Sequence, residues 1–365
     1  MRVLINGLQS GNRSGTGRYV QALCQALPQA APDIETVLLW PSGLGQPELH
    51  GNVSILEHSA GLVSRSLLDH FTVRTAAHQT GADLLHYPAS TGCFFPPGPV
   101  VQTVHDLCFM RHPEWFPLSK ALYYRQLIGS TARKADLILA DSKATAKDIR
   151  ALLLLPEDRI RVIPLGVGDE FHPRSSEEQQ TVRAKYALPE PFFLFVGTLE
   201  PRKNLVRLIQ AWDTAYESGL PHLVIAGRQG WKAEPILEAV RQARHQKALH
   251  LPGFVANQDL PALLTAAQAF LWPSLMEGFG LPPLEAMACG TPVLTSNCSS
   301  IPEVVGRAAM LVDPTSESQL SQAMVALAHD DRLRASLSEM GRHQAALFPW
   351  SKTAQLTAHA YRELA

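Results

Sequence analysis

The sequence has no Cys-x-x-Cys pair, no long apolar run and no surplus of charge of either sign. Its five cysteines (Cys24, Cys93, Cys108, Cys289, Cys298) are scattered and odd in number. That excludes a disulfide framework and a zinc-ribbon site, and it points to reduced thiols in a reducing compartment. Nothing approaches the roughly 20 consecutive apolar residues of a membrane span. The opening run Met1–Gly7 is too short for a signal peptide and reads as a first strand. A cytoplasmic location is expected, with contact at the inner face of a membrane left open. Acidic residues number 33 and basic residues 32, so no bulk field draws the chain to nucleic acid, and no nucleic-acid partner is expected. No His, Cys, Asp or Glu grouping has metal-ligand spacing, so no metal is expected either.

What is present is globular: 46% of the 365 residues are apolar and 18% charged, more than one core usually organises. Short apolar runs alternate with amphipathic stretches, the pattern of βα units on parallel sheets. In the first half strands are expected at Val3–Asn6, Thr36–Leu39, Leu84–His86, Val100–Val104, Leu137–Ala140 and Arg161–Ile163, with helices such as Gly17–Leu27 and Leu118–Lys134. Between Asp169 and Pro191 proline and charge cluster without periodicity, as in a domain connection. A second alternation runs from Phe192–Val196 through a helix from Asn204, a strand at Leu223–Ala226, a helix near Pro235–Gln246, and strands near Val293 and at Met310–Val312. The expected organisation is two doubly wound, Rossmann-like α/β domains facing across a cleft, 1–170 and 171–348, with a helix over 349–365 packing back onto the first. Ligands of such sheets bind beyond the carboxyl ends of the strands, so the chemistry belongs on loops just after strands.

Four segments at such places carry reactive residues. Glu277-Gly278-Phe279-Gly280-Leu281-Pro282-Pro283-Leu284-Glu285 sets two carboxylates around a Gly-rich turn that leads into a helix. Prolines suit the first helical positions, free N–H groups of the first turn can face an anion, and carboxylates accept from sugar or ribose hydroxyls. An ordinary Pro-started helix, with Glu285 set against its dipole, would look similar. Arg202-Lys203 lies beyond a strand end at the start of a helix, where cations can neutralise a diphosphate or stand solvated. The loop Gln9–Tyr19 is Gly-rich and feeds a helix, but Gly15-x-Gly17 is followed by Val20 where a dinucleotide fingerprint needs its third glycine. His105-Asp106 directly follows a strand, with Asp106 either orienting the ring or capping the next turn.

Together with Val196-Gly197-Thr198-Leu199-Glu200-Pro201-Arg202-Lys203-Asn204, Gly166-Val167, Phe171-His172-Pro173 and Ile301-Pro302-Glu303, these segments resemble the GT-B retaining glycosyltransferases of family four. The wording around Gly197–Asn204 and Ser299–Glu303 is nearest the O-antigen mannosyltransferase subgroup. The resemblance implies transfer of a hexose from a nucleoside diphosphate sugar (GDP-mannose first, UDP-hexose second) to a hydroxyl of a glycan or lipid-linked acceptor. The sugar nucleotide is a substrate, and no cofactor is implied. Carried over by residue, Glu285 holds the ribose, Glu277 the donor sugar, and Gly278, Phe279, Gly280 and Leu281 offer backbone amides. Lys203, with Arg202 beside it, meets the diphosphate, Gly15 approaches the donor phosphate, and His105 lies beside the sugar. The family's usual Arg after the first glycine is here Thr198, so that source of positive charge is missing. No Asp-x-Asp segment of the metal-dependent kind occurs, so activity is expected to be metal-independent. Helical stretches bearing Arg65, Arg74, Arg125, Arg133 and Lys134 read as a solvated face or as a contact for anionic lipid. The competing readings are a nucleotide-sugar epimerase or hydrolase of the same architecture, and a non-catalytic binding protein. The latter would be expected to have lost Glu277, Glu285 or Lys203.

Overall fold

A computed structural model describes residues 1–10, 15–45, 47, 49, 51–58 and 65–364, of which 65–70 by backbone only. The chain divides into two compact units: Met1–Arg111 with Ser119–Gly166 and Phe348–Ala365, and His112–Leu118 with Val167–Leu347.

Among the described residues the first unit carries seven strands: β1 (Arg2–Asn6), β2 (Glu35–Pro41), β3 (Val53–His58), β4 (Leu84–Tyr87), β5 (Val100–Val104), β6 (Leu137–Ala140) and β7 (Ile160–Val162). They pair in parallel in the order β3-β2-β1-β4-β5-β6-β7. The inner strands β4, β5 and β6 are buried along their whole length, polar His86, Gln102 and Thr103 included. Edge strand β3, absent from the sequence reading, is half-buried except at Ser54 and Glu57, which are exposed. The terminal helix Trp350–Arg362 belongs to this unit. Thr353 Oγ1 donates to the Pro164 carbonyl at 2.8 Å, and Tyr361 Oη meets His86 Nδ1 at 2.7 Å. Gly166 is required where the chain passes this helix, since a Cβ there would stand 2.6 Å from the Trp350 nitrogen.

The second unit carries β8 (Phe192–Val196), β9 (His222–Ala226), β10 (Leu249–Gly253), β11 (Ala269–Trp272), β12 (Val293–Ser296) and β13 (Met310–Val312). Their order is β10-β9-β8-β11-β12-β13, again parallel. Strands β10 and β11 escaped the sequence reading. β10 is an edge strand that carries Pro252, a residue tolerated only at such places. β11 follows the helix Leu260–Ala266 after two residues, so Leu260–Trp272 looks like one Ala- and Leu-rich stretch. His112–Leu118 joins this unit through Phe116, stacked on Trp231 at 5.4 Å, and through Lys232 Nζ, which donates to the Glu114 carbonyl at 2.5 Å. Strands β8 and β11 are neighbours, while the chain leaves β8 for β9 on one side and β11 for β12 on the other. The order reverses between them, the place where doubly wound sheets leave room for a ligand.

Candidate active site

The loop after β8 is shaped by close backbone packing. A Cβ on Gly197 would come within 3.0 Å of the Trp272 ring, and one on Gly227 would overlap the Gly197 carbonyl at 1.8 Å. The chain then makes one 3-10 turn, Pro201–Lys203, and Asn204 at φ +59° starts the helix Leu205–Ala215. The Asn204 amide fixes that junction by donating to the carbonyls of Pro273 (3.1 Å) and Pro314 (2.7 Å). Successive residues of a helix diverge by about 100°, yet here the tight turn aims both cations at one carboxylate. Lys203 Nζ lies 2.6 Å from Glu277 Oε1, and Arg202 Nη1 lies 2.5 Å from Glu277 Oε2. The two cations thus converge on the Glu277 carboxylate.

Glu277 is only 7% exposed and Lys203 only 6%, so the pairing is a desolvated one. Burial alone would raise the Glu277 carboxyl, but Arg202 and Lys203 outweigh it and bring it down to about 2. Burial and the neighbouring Arg202 lower the Lys203 ammonium against the pull of Glu277 and Glu200. The Trp272 ring lies 4.2 Å beneath Lys203 Nζ and adds a cation–π contact. Arg202 also staples two loops. Its Nε and Nη2 donate to Glu200 Oε1 at 3.1 and 2.9 Å, and Nη1 donates to the Met276 carbonyl at 3.0 Å.

The Gly-rich turn is buried from Glu277 to Gly280. Gly280 adopts φ +120°, where a Cβ would stand 2.8 Å from Ile301 Cδ1. Two serines hold the turn's carbonyls: Ser299 Oγ donates to that of Glu277 at 2.5 Å, and Ser300 Oγ donates to those of Glu277 (2.9 Å) and Phe279 (2.7 Å). The helix Leu281–Ala288 follows with Pro282 and Pro283 in its first turn, and Glu285 is buried in its second. Thr198 stands exposed on the loop after β8, and Leu281 is half-buried.

His105 lies in the first unit, one residue beyond β5. Its Nδ1 is 2.7 Å from Asp141 Oδ2 and its Nε2 is 2.8 Å from the Pro88 carbonyl oxygen. Tyr19 packs edge-on against the ring at 5.2 Å. Of the two roles left open for Asp106 the structure shows the cap, Oδ1 accepting from the Cys108 N–H at 3.0 Å, and Asp141 is the carboxylate on the ring. Gly15 opens the exposed start of the helix Gly15–Ala30, while Gly11, Asn12, Arg13 and Ser14 of the same loop lie outside the described residues. Sequence reading missed Asp141, Trp272 and the two serines. The sequence did not mark Asp141, because its link to His105 is the register of β5 and β6, in which Val104 pairs with Ala140 and the next residues are His105 and Asp141. Among the described residues no group of three or more His, Cys, Asp or Glu could hold a metal ion, and no helix is long and apolar enough to cross a membrane.

Both units of the chain have counterparts among known proteins. Residues 178–344 match the profile described as glycosyl transferases group 1, and residues 13–171 match glycosyltransferase family 4. The O-antigen chain mannosyltransferase B of Escherichia coli is 35% identical over 72% of this chain and 70% of its own length. The serotype-specific mannosyltransferase WbdA of Escherichia coli is 32% identical over 73% of this chain, which spans 34% of that longer protein. Among solved structures, sucrose-phosphate synthase of Thermosynechococcus elongatus superposes with a TM-score of 0.81 at 20% identity, covering 100% of this chain and 99% of that one. HepE of Anabaena, solved in complex with UDP and glucose, gives 0.79 at 19% identity, with 100% of both chains covered. With two parallel Rossmann-like sheets, both family profiles and a mannosyltransferase relative in agreement, the chain belongs to the GT-B glycosyltransferases of family four.

Proposed function

We propose that the chain is a retaining, metal-independent hexosyltransferase that passes mannose from GDP-mannose to a hydroxyl of a glycan or lipid-linked acceptor in polysaccharide assembly. The observation that carries the reading is the pair of cations after β8 converging on Glu277 after β11, at the point where the strand order reverses. A departing nucleoside diphosphate gains negative charge, and Lys203 and Arg202 are already desolvated and oriented to meet it. Glu277 pairs with both cations, so a diphosphate would share them with it while Glu277 turns toward the sugar hydroxyls. Glu285 is assigned to the ribose, and the amides of Gly278, Phe279, Gly280 and Leu281 to the sugar and diphosphate. Gly15 and Thr198 are assigned to donor contacts, and His105 to the donor sugar.

Two cations and a set of amides suffice for the leaving group without a metal. The acceptor hydroxyl attacks the face that the diphosphate leaves, and the departing phosphate takes its proton. Mannose is chosen because relatives above 30% identity include named mannosyltransferases, and UDP-hexose is the second choice. The helix Leu118–Ala132 exposes Leu122 and Tyr123 beside Arg125, a mixed face suited to peripheral contact at the cytoplasmic side of a membrane. A panel of nucleotide sugars, scored by the rise in melting temperature of the purified protein, tests the reading. GDP-mannose should give the largest rise. No response to any nucleotide sugar would refute it.

A further inference from the structure

Strands β5 and β6 end side by side, with Val104 paired to Ala140, and each delivers a polar residue past the sheet edge. Both ring nitrogens of His105 meet acceptors. Oδ2 of Asp141, a residue 3% exposed, faces Nδ1 at 2.7 Å, and the Pro88 carbonyl, which can only accept, faces Nε2 at 2.8 Å. The Pro88 contact requires Nε2–H, and the Asp141 contact places a second proton between Nδ1 and the carboxylate. The ring cannot swing away. Tyr19 blocks one side edge-on at 5.2 Å, and the His105 backbone is tied by its N–H to Ser90 Oγ (3.2 Å) and by its carbonyl to Thr145 Oγ1 (3.2 Å).

We propose that Asp141 is a positioning residue: it holds His105 as an imidazolium that donates from both nitrogens, so that the ring serves glycosyl transfer as a fixed cation and never as a proton acceptor. This rests on the transferase reading above. The groups facing His105 from its surroundings agree with it. Tyr19, on the helix Gly15–Ala30, is buried and held neutral by its burial. His86, on β4, is pushed by burial down to about 3 and stays uncharged. The charged groups among the described neighbours are Asp141, beyond β6, and Asp106, on the ring's own loop. Burial opposes charge on His105, but Asp141, the Pro88 carbonyl and Asp106 outweigh it and raise the ring above the ordinary imidazole value.

The test is Asp141→Asn, which keeps the shape and removes the charge. NMR of the His105 ring carbons should show titration falling by roughly one pH unit or more. Above both values the charged fraction then drops about tenfold, so kcat should fall by that factor while the donor KM changes little, and the alkaline limb of the pH–rate profile should move down with the ring. If Asp141→Asn does not fold, Asp141→Ser, an uncharged acceptor, carries the same readings. An unmoved His105 titration overturns the proposal, and so does an unmoved pH–rate limb beside a shifted ring. Absence of transfer in the parent protein would instead refute the transferase reading, and with it the catalytic half of the proposal, while the NMR arm still decides the charge state.

Discussion

Replacing Glu277 by glutamine keeps the size of the side chain and removes the counter-charge of two buried cations. Arg202 and Lys203 would then face each other's charge across a neutral amide, with Glu200 the remaining carboxylate at Arg202. The carboxyl lies at about 2 instead of its ordinary 4.5, a difference worth about 3 kcal/mol in favour of the charged form. That agrees with the roughly 3–5 kcal/mol lost when one partner of a buried ion pair is removed. Because the folded value is depressed, the stabilisation is fully present above 4.5 and disappears as pH falls toward 2. Urea denaturation of both proteins at pH 7, 4 and 3 should therefore show a gap of about 3 kcal/mol that narrows across the acid range. A gap of the same size at every pH would mean that the loss comes from packing and not from charge, and would refute the reasoning.

The same geometry divides the work of the other residues. Glu285→Ala should weaken binding of free nucleoside diphosphate, whereas Glu277→Ala, by freeing the two cations, should leave it unchanged or tighten it. Calorimetric titration with the nucleotide alone separates the two. Lys203→Ala should cost about 2–4 kcal/mol in turnover, as loss of one donor to a developing oxyanion does. Arg202→Ala should cost less in turnover per folded molecule but more in stability, since Arg202 staples Glu200, Met276 and Glu277; paired kinetics and denaturation decide between them. Activity should survive exhaustive EDTA treatment, and a loss restored by magnesium or manganese would contradict the metal-free reading. Trp272→Leu should lower activity while Trp272→Phe largely retains it, because a phenyl face still supports the Lys203 ammonium.

Most strands that sequence revealed are buried, such as Phe192–Val196, although the partly exposed edge strands Ile160–Val162 and Met310–Val312 were found as well. It failed where neighbouring context decides the outcome. Ala269–Trp272 continues the composition of the preceding helix and becomes a strand because β8 and β12 flank it. Leu249–Gly253 carries a proline that only an edge position allows. The site divides along the same line. Lys203, Glu277 and Glu285 stand out because reactive residues follow strand ends next to glycines. Their pairing does not, because it depends on a 3-10 turn that rotates Arg202 and Lys203 onto one carboxylate across 74 positions of sequence. Asp141 was hidden for the same reason, being joined to His105 only by the register of β5 and β6. Asp106 lay nearer in sequence and capped its own turn instead.

The most direct measurement is transfer itself, with its stereochemistry. The purified protein would be incubated with GDP-mannose labelled with carbon-13 at C1 and a mannose-terminated oligosaccharide, and the new linkage read by NMR from the one-bond carbon–proton coupling at C1. A product with the α configuration of the donor, formed in the presence of EDTA and lost in Lys203→Ala, is the predicted result. A β-linked product, or no transfer from GDP-mannose where another sugar nucleotide is consumed, would contradict it.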